Sequence, residues 1–177
     1  MTSSNEFLTG VTSVTSITKI DVDGPVWRDG ATDGECFAPS ILVTISYDPI
    51  QVSIGKEFSP SSCAYSEILK HEMQHVAIYQ KNLSKIENDL RTAMEKRFSS
   101  RPIYAKLGTA KSIISAEIDQ FWRPLIQSEI SKIQLEQNSF DSDEEKNALH
   151  SVCYGEVRKA LGDFMSTRLE HNPSLYI

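Results

Sequence analysis

The alternation of apolar and polar positions in the first third of the chain predicts β-strands. Residues 11–22 are rich in Val, Thr and Ile, and these β-branched side chains favour an extended backbone. Residues 41–47 and residues 50–54 each show a period of two, which is typical of a strand with one buried face. The Asp-Pro pair at residues 48–49 predicts a turn, so the two segments are expected to form a hairpin.

Further along the chain the apolar period lengthens to about 3.6 residues, which predicts helices. The first helix is expected to begin after the serine-rich residues 59–62, which offer N-cap oxygens, and to end at residues 99–102. A second helical region is expected to start at Pro102 or Thr109 and to run to Gln137.

Two local signals refine these helices. Pro124 lies inside the second helical region, where a proline removes one backbone hydrogen bond, so a kink or break is expected near residues 120–124. Ser142 followed by Glu145 is a capping-box pattern, which predicts the start of a third helix that reaches Met165. The tail after this helix is expected to be irregular.

These elements predict an α+β fold, in which a small twisted antiparallel sheet packs on the first, long helix and two further helices. Residues 27–39 combine Gly, Pro and acidic residues and are expected to form a loop or a pair of turns. The chain shows no internal repeat and no linker-like segment. Residues 1–177 are therefore expected to form a single domain with a polar N-terminal arm at residues 1–10.

Composition excludes two classes of function. The 177-residue chain has 24 Asp and Glu against 18 Lys and Arg, a net charge of −6, which argues against binding to nucleic acid. It has no run of about 18 apolar residues, so no membrane span is expected. Because no signal-peptide pattern opens the chain, the protein is expected to be cytoplasmic, or periplasmic or secreted if a signal peptide has been trimmed.

The three cysteines, Cys36, Cys63 and Cys153, are too widely spaced for a CxxC zinc or redox motif. In an oxidising compartment, Cys63 is expected to form a disulfide with either Cys36 or Cys153. In a reducing compartment, all three are expected to be buried thiols.

One motif carries chemistry. Residues 71–75 read His-Glu-Met-Gln-His, an HExxH sequence on the first long helix. Residues i and i+4 share a helical face, so His71 and His75 can direct ring nitrogens at one metal ion. Glu72 then lies beside that ion and can take a proton from the attacking water and deliver it to a leaving amine.

The motif also has a structural interpretation without a metal. The helix could present a solvated face, or His75 could be a hydrogen-bonded histidine of the core. Glu72 and His75 fall on the apolar stripe of the helix, where an unpaired buried carboxylate costs several kcal/mol. A nearby cation offsets that cost, so the stripe favours a metal site.

With these residues and this order of elements, the chain resembles the zincin metallopeptidases. The resemblance covers residues 41–145 and implies zinc as the cofactor, a peptide or protein as substrate, and Glu72 as the catalytic residue. The stretch from Ile41 to Tyr79 is also similar to small bacterial secreted proteins described as zinc proteases. The metzincin branch is excluded, because Ile78 and Lys81 stand where its motif has glycine and the third histidine.

A catalytic zinc site has three protein ligands and a fourth position open to water, so His71 and His75 require one more donor. The gluzincin branch of the zincins takes a glutamate from the next helix. If the first two helices form an antiparallel hairpin, His75 faces residues 125–131, where Glu129 is the metal-capable side chain. The alternatives lie at the following turn and on the third helix: Glu136, Asp141, Glu145 and His150.

The sequence thus predicts a zinc-dependent peptidase whose zinc is held by two histidines and a downstream carboxylate. A ligating imidazole normally donates its other N–H, and an Asp or Glu of the third helix or a strand carbonyl is expected to accept it. The alternative is a non-catalytic, metal-stabilised helical binding protein with the same motif. The sequence predicts no oligomeric state.

Overall fold

The computed structural model describes residues 9–99 and 101–171 and confirms the α+β class, with antiparallel sheets packed on one long helix. The strands are β1 (Gly10–Asp23), β2 (Val26–Arg28), β3 (Gly34–Phe37), β4 (Ser40–Ile54) and β5 (Ile103–Lys106). The helices are α1 (Cys63–Phe98), α2 (Ala110–Glu117), α3 (Arg123–Phe140), α4 (Asp143–Ser151) and α5 (Glu156–His171). Most of the predicted polar arm, and the predicted irregular tail, lie outside the described residues.

The predicted hairpin between residues 41–47 and 50–54 is wrong. β4 passes through Asp48 and Pro49 as one strand of 15 residues and pairs with β1 in a two-stranded sheet. The partly buried apolar positions are odd-numbered before this pair and even-numbered after it, and this shift gave the impression of two strands. Proline is tolerated there because a strand with one hydrogen-bonded neighbour does not need every backbone N–H for pairing.

Residues 27–39 contain most of β2 and all of β3, where a loop or a pair of turns was predicted. β2 and β3 pair antiparallel with Trp27 opposite Cys36, and β5 pairs with the other side of β3. β5 occupies the first residues of the second predicted helical region, so that α2 begins after Thr109, the later of the two predicted starts. Strands of three or four residues are too short to show a clear period of two.

The predicted irregularity near Pro124 is confirmed. A π-helical segment, Ile118–Trp122, separates α2 from α3 just before this proline. The wider turn accommodates a residue that has no backbone N–H to donate. The buried Trp122 is fixed there, because its indole Nε1 donates a hydrogen bond to Glu117 Oε1 at 3.1 Å.

The third helix starts as predicted but is interrupted. Ser142 Oγ accepts a hydrogen bond from the backbone N–H of Glu145 at 3.2 Å, which caps α4. Three consecutive residues between α4 and α5 have φ of 55°, 57° and 79°, namely Cys153, Tyr154 and Gly155. Left-handed backbone cannot continue a right-handed helix, so α5 starts anew.

A disulfide joins this interruption to the first residue of α1. Cys63 and Cys153 are bonded, with their Cα atoms 5.7 Å apart. The pairing is one of the two predicted for an oxidising compartment, and Cys36 is a free thiol of intermediate exposure. The bond links residues 90 positions apart in sequence.

The N-terminus of α1 also carries two hydrogen-bonded caps. Ser62 Oγ accepts from the backbone N–H of Tyr65 at 3.1 Å, as expected for an N-cap serine. Glu156 Oε2 accepts from the backbone N–H of Ala64 at 3.2 Å, which places a carboxylate at the positive end of the helix dipole. These caps and the disulfide hold the helix that carries the HExxH motif.

The contacts within the chain divide it into two compact units. Of the described residues, unit 1 comprises 9–14, 49–78 and 136–171, and unit 2 comprises 15–48, 79–99 and 101–135. The core of unit 1 is built of four buried side chains: Phe58, Ala64, Ile68 and Val157. The expectation of a single domain stays a prediction.

Unit 2 contains the sheet formed by β2, β3 and β5. Glu35, which lies on β3, caps the N-terminus of α2. Glu35 Oε1 accepts a hydrogen bond from the backbone N–H of Ala110 at 2.7 Å. This bond has the largest effect in holding the pKa of Glu35 below its ordinary value of 4.5, and backbone hydrogen bonds from Gly108 and Thr109 lower the pKa further. The charged carboxylate thus stabilises the start of a helix that has no side-chain cap of its own.

We expect Glu35→Gln to make stability less sensitive to acid. A carboxyl group whose pKa is lowered by folding stabilises the protein above its unfolded-state pKa, and this contribution is lost as the pH falls through the folded-state pKa. Below an ordinary value of 4.5, the wild type should therefore lose thermal stability more steeply than the variant. Thermal midpoints measured for both proteins across this range test the prediction, and a constant difference at every pH would contradict it.

Candidate metal centre

The HExxH motif lies on α1 within unit 1, and its two histidines and its glutamate face inward. His75 and Glu72 are buried, with 7% and 5% of their surface exposed. The His71 side chain is 12% exposed. The motif therefore does not form a solvated helical face.

The two imidazoles meet a carboxylate from another part of the chain. His71 Nε2 lies 3.3 Å from His75 Nε2, and Asp141 Oδ1 lies 3.2 Å from the first and 2.9 Å from the second. Among the described residues, this is the group of His, Cys, Asp and Glu side chains that could hold a metal ion.

The spacing of these three atoms fits a tetrahedral metal ion. Ligand atoms about 2.0–2.1 Å from a tetrahedral zinc ion lie about 3.3 Å from one another. The three observed separations, 2.9, 3.2 and 3.3 Å, are close to this value. Two imidazole nitrogens and one carboxylate oxygen also belong to the donor types that zinc uses in hydrolytic sites.

Asp141 owes its position to the corner between α3 and α4. Its backbone N–H donates to the carbonyl of Gln137 at 3.1 Å and closes the last turn of α3, while Ser142 caps α4. The Asp141 carboxylate is therefore not needed as a cap and lies beside the imidazoles. Its side chain is 44% exposed, so solvent reaches the group from this side.

Gln137 fixes the orientation of His75. Its Nε2 donates to the backbone carbonyl of His75 at 3.0 Å, and its Oε1 lies 2.5 Å from His75 Nδ1. The carbonyl can only accept, so the amide nitrogen faces it and the amide oxygen faces the ring. His75 Nδ1 therefore faces an acceptor, and His75 Nε2 faces Asp141 and His71.

Phe140 holds both imidazole rings by packing. It stacks on His71 with ring centroids 4.9 Å apart and an interplanar angle of 23°. It meets His75 edge to face, with centroids 5.0 Å apart and an angle of 84°. One aromatic side chain thus restricts the rotation of both histidines.

Glu72 contacts β1. Its Oε2 accepts a hydrogen bond from Thr12 Oγ1 at 2.7 Å. Gly10 permits this close approach, because a Cβ atom there would lie 2.6 Å from Glu72 Oε1 and 2.7 Å from Ile68 Cγ2. The absence of a side chain at residue 10 is therefore required for β1 to lie against this part of α1.

The other predicted candidates lie elsewhere. Glu129, the predicted third ligand, is not part of the group around His71 and His75, and its Oε1 lies 2.5 Å from Lys132 Nζ. The estimate that selected it assumed two helices joined directly, whereas β5 and the π-helical segment intervene. Glu145 lies in the first turn of α4 and His150 in the last. Of the alternatives, Asp141 is the one brought to the imidazoles.

Sequence reasoning missed three residues of this site: Thr12, Gln137 and Phe140. The expected partner for an imidazole N–H was a carboxylate or a backbone carbonyl, whereas the structure provides the side-chain amide of Gln137. The signal that could have found Gln137 is its spacing, because it lies four residues before Asp141 and so on the same helical face.

Comparison with models of protein families, with curated proteins and with solved structures finds no match to this chain. None of the helices in the described part of the chain is long and apolar enough to cross a membrane.

Proposed function

We propose that this chain is a zinc-dependent peptidase. The proposal rests on one observation, the approach of His71 Nε2, His75 Nε2 and Asp141 Oδ1 to within 2.9–3.3 Å of one another. These three atoms would hold the zinc ion. When bound, zinc supplies a Lewis acid that polarises a carbonyl group and makes water nucleophilic near neutral pH.

Glu72 is the general base and then the general acid in this proposal. It follows His71 directly on α1, and Thr12 Oγ1 holds one of its oxygens at 2.7 Å. A carboxylate with one oxygen fixed keeps a constant orientation, and its other oxygen can accept a proton from water and pass it to the leaving amine. Thr12 is a positioning residue in this scheme.

The substrate is a peptide or protein, and its point of entry is the exposed side of Asp141. His71 and His75 pack against the ring of Phe140, whereas the Asp141 side chain is 44% exposed. We place the protein outside the cytoplasm, because a disulfide such as Cys63–Cys153 persists in an oxidising compartment.

Zinc binding by single variants tests the ligand set. We expect the wild type to bind about one zinc ion per chain and Asp141→Asn to lower the affinity by more than about 100-fold, beyond the effect of losing an outer hydrogen-bond partner. The matched control is Glu129→Gln, which neutralises the other predicted ligand and should leave the affinity unchanged. Competition titration with a chromogenic chelator measures both.

Two outcomes would contradict the proposal. If Glu129→Gln abolished zinc binding and Asp141→Asn did not, the ligand set would be wrong. If the wild type bound zinc but cleaved no member of a mixed peptide library, the chain would be a metal-stabilised binding protein. Chelation would then lower the thermal midpoint strongly, since a structural metal contributes directly to folding.

A further inference from the structure

We propose that Gln137 is a positioning residue that sets the tautomer of His75 and thereby prepares the site for a cation. The inference rests on the proposed function for the identity of the ion. Its basis is the pair of hydrogen bonds between the Gln137 amide and His75, one to the ring and one to the backbone carbonyl.

The two ring nitrogens of His75 have different partners that compete for its proton. Nδ1 lies 2.5 Å from Gln137 Oε1, and Nε2 lies 2.9 Å from Asp141 Oδ1. A neutral imidazole carries one proton, so only one of these contacts can be a hydrogen bond. The carboxylate is the stronger acceptor, and without Gln137 the proton would lie on Nε2.

Gln137 reverses this preference because its own orientation is fixed. The donation from its Nε2 to the His75 carbonyl, at 3.0 Å, prevents the amide from turning its nitrogen toward the ring. Both Gln137 and His75 are buried, with 4% and 7% exposure, so water does not replace these bonds. Asp141 is 44% exposed and can accept hydrogen bonds from water instead, so the proton of a neutral His75 ring stays on Nδ1.

The consequence is a pair of facing acceptors, His75 Nε2 and Asp141 Oδ1, with no proton of His75 between them. His75 Nε2 then faces Asp141 Oδ1 at 2.9 Å with both atoms acting as acceptors, and His71 Nε2 lies 3.3 Å away. Such an arrangement is repulsive by itself and becomes favourable when a cation lies among the three atoms. The energy of the Gln137 bonds is thus used to raise affinity for a metal.

The first test is the tautomer of His75 in the metal-free protein. In the neutral form of the ring, ¹⁵N NMR of the metal-free wild type should show the proton of His75 on Nδ1. In Gln137→Met, which keeps the length of the side chain but offers no hydrogen bond, the proton should move to Nε2. A proton on Nε2 in the wild type would overturn the inference.

The second test is zinc affinity. We expect Gln137→Met to weaken zinc binding by about 10- to 100-fold, the usual effect of losing the partner of a ligating histidine. Gln137→Glu keeps an acceptor for Nδ1 but loses the bond to the carbonyl, so it should lower the thermal midpoint while preserving the tautomer and much of the affinity. A merely structural role would change stability in both variants without moving the proton.

The matched control is Gln127→Met, at an exposed position of the same helix, which should change neither tautomer nor affinity. Equal zinc affinity in the wild type and Gln137→Met would overturn the inference. Failure of the proposed function is distinguishable from failure of this inference, because the tautomer is measured without metal or substrate. A chain that hydrolyses no peptide but shows the tautomer change would keep this inference and lose the peptidase.

Discussion

Replacing Glu72 with glutamine is expected to reduce peptide hydrolysis by about 100- to 10,000-fold, the contribution of a general acid–base catalyst. Glutamine has the same shape and can still accept a hydrogen bond from Thr12, but it cannot take a proton from water. Because Glu72 is not among the three converging donors, zinc affinity should change by less than about tenfold, below the effect of losing an outer partner. Comparison of kcat/KM and of zinc affinity in the two proteins measures both effects.

Glu67→Gln provides a control for this substitution on the same helix. Glu67 is partly exposed and forms an ion pair with Lys70 at 3.6 Å, a surface contact of small energetic value. Its substitution should leave hydrolysis and zinc binding unchanged. Wild-type activity in Glu72→Gln would show that another group handles the proton, and loss of zinc would show that Glu72 acts on the metal site itself.

Removing the disulfide is expected to have the largest effect on stability. Cys63 and Cys153 are separated by 90 residues, and in the chain-entropy description closing a loop of this length stabilises the fold by about 4–5 kcal/mol. For a chain of this size, the loss corresponds to about 10–15 °C in the thermal midpoint. The double variant Cys63→Ser, Cys153→Ser, studied by thermal unfolding, tests this.

Cys36→Ser is the matched control, because Cys36 is a free thiol of intermediate exposure. It should leave the midpoint nearly unchanged, and a reducing agent should still lower that midpoint as in the wild type, because Cys36→Ser keeps the Cys63–Cys153 bond. The serine double variant, which has no disulfide, should not respond to the agent. A double variant as stable as the wild type would mean that the caps at Ser62 and Glu156 alone hold the start of α1.

The sequence predicted the long elements of the fold and misjudged the short ones. α1 is 36 residues long, and so many turns make a period of 3.6 unmistakable. β2 and β5 have three and four residues, and their pairing with β3 depends on contacts distant in sequence. At Asp48 and Pro49, local turn chemistry was overridden by pairing with β1, because the edge position of β4 tolerates proline.

In the candidate site, too, some residues could be predicted from the sequence and others could not. His71, Glu72 and His75 could be predicted, since their relation depends only on helical geometry. The third donor could not, because a hairpin estimate requires the helix ends to within one residue. The Asp141 carboxylate is available because the next residue, Ser142, caps α4.

The wide spacing of the donors along the chain bears on how the protein is made. Asp141 lies 66 residues beyond His75, so both imidazoles of a growing polypeptide are synthesised well before the third proposed ligand. At that stage the nascent chain carries two of the three proposed ligands. At the proposed site, metal uptake would therefore be completed only after Asp141 has been synthesised and the chain has folded.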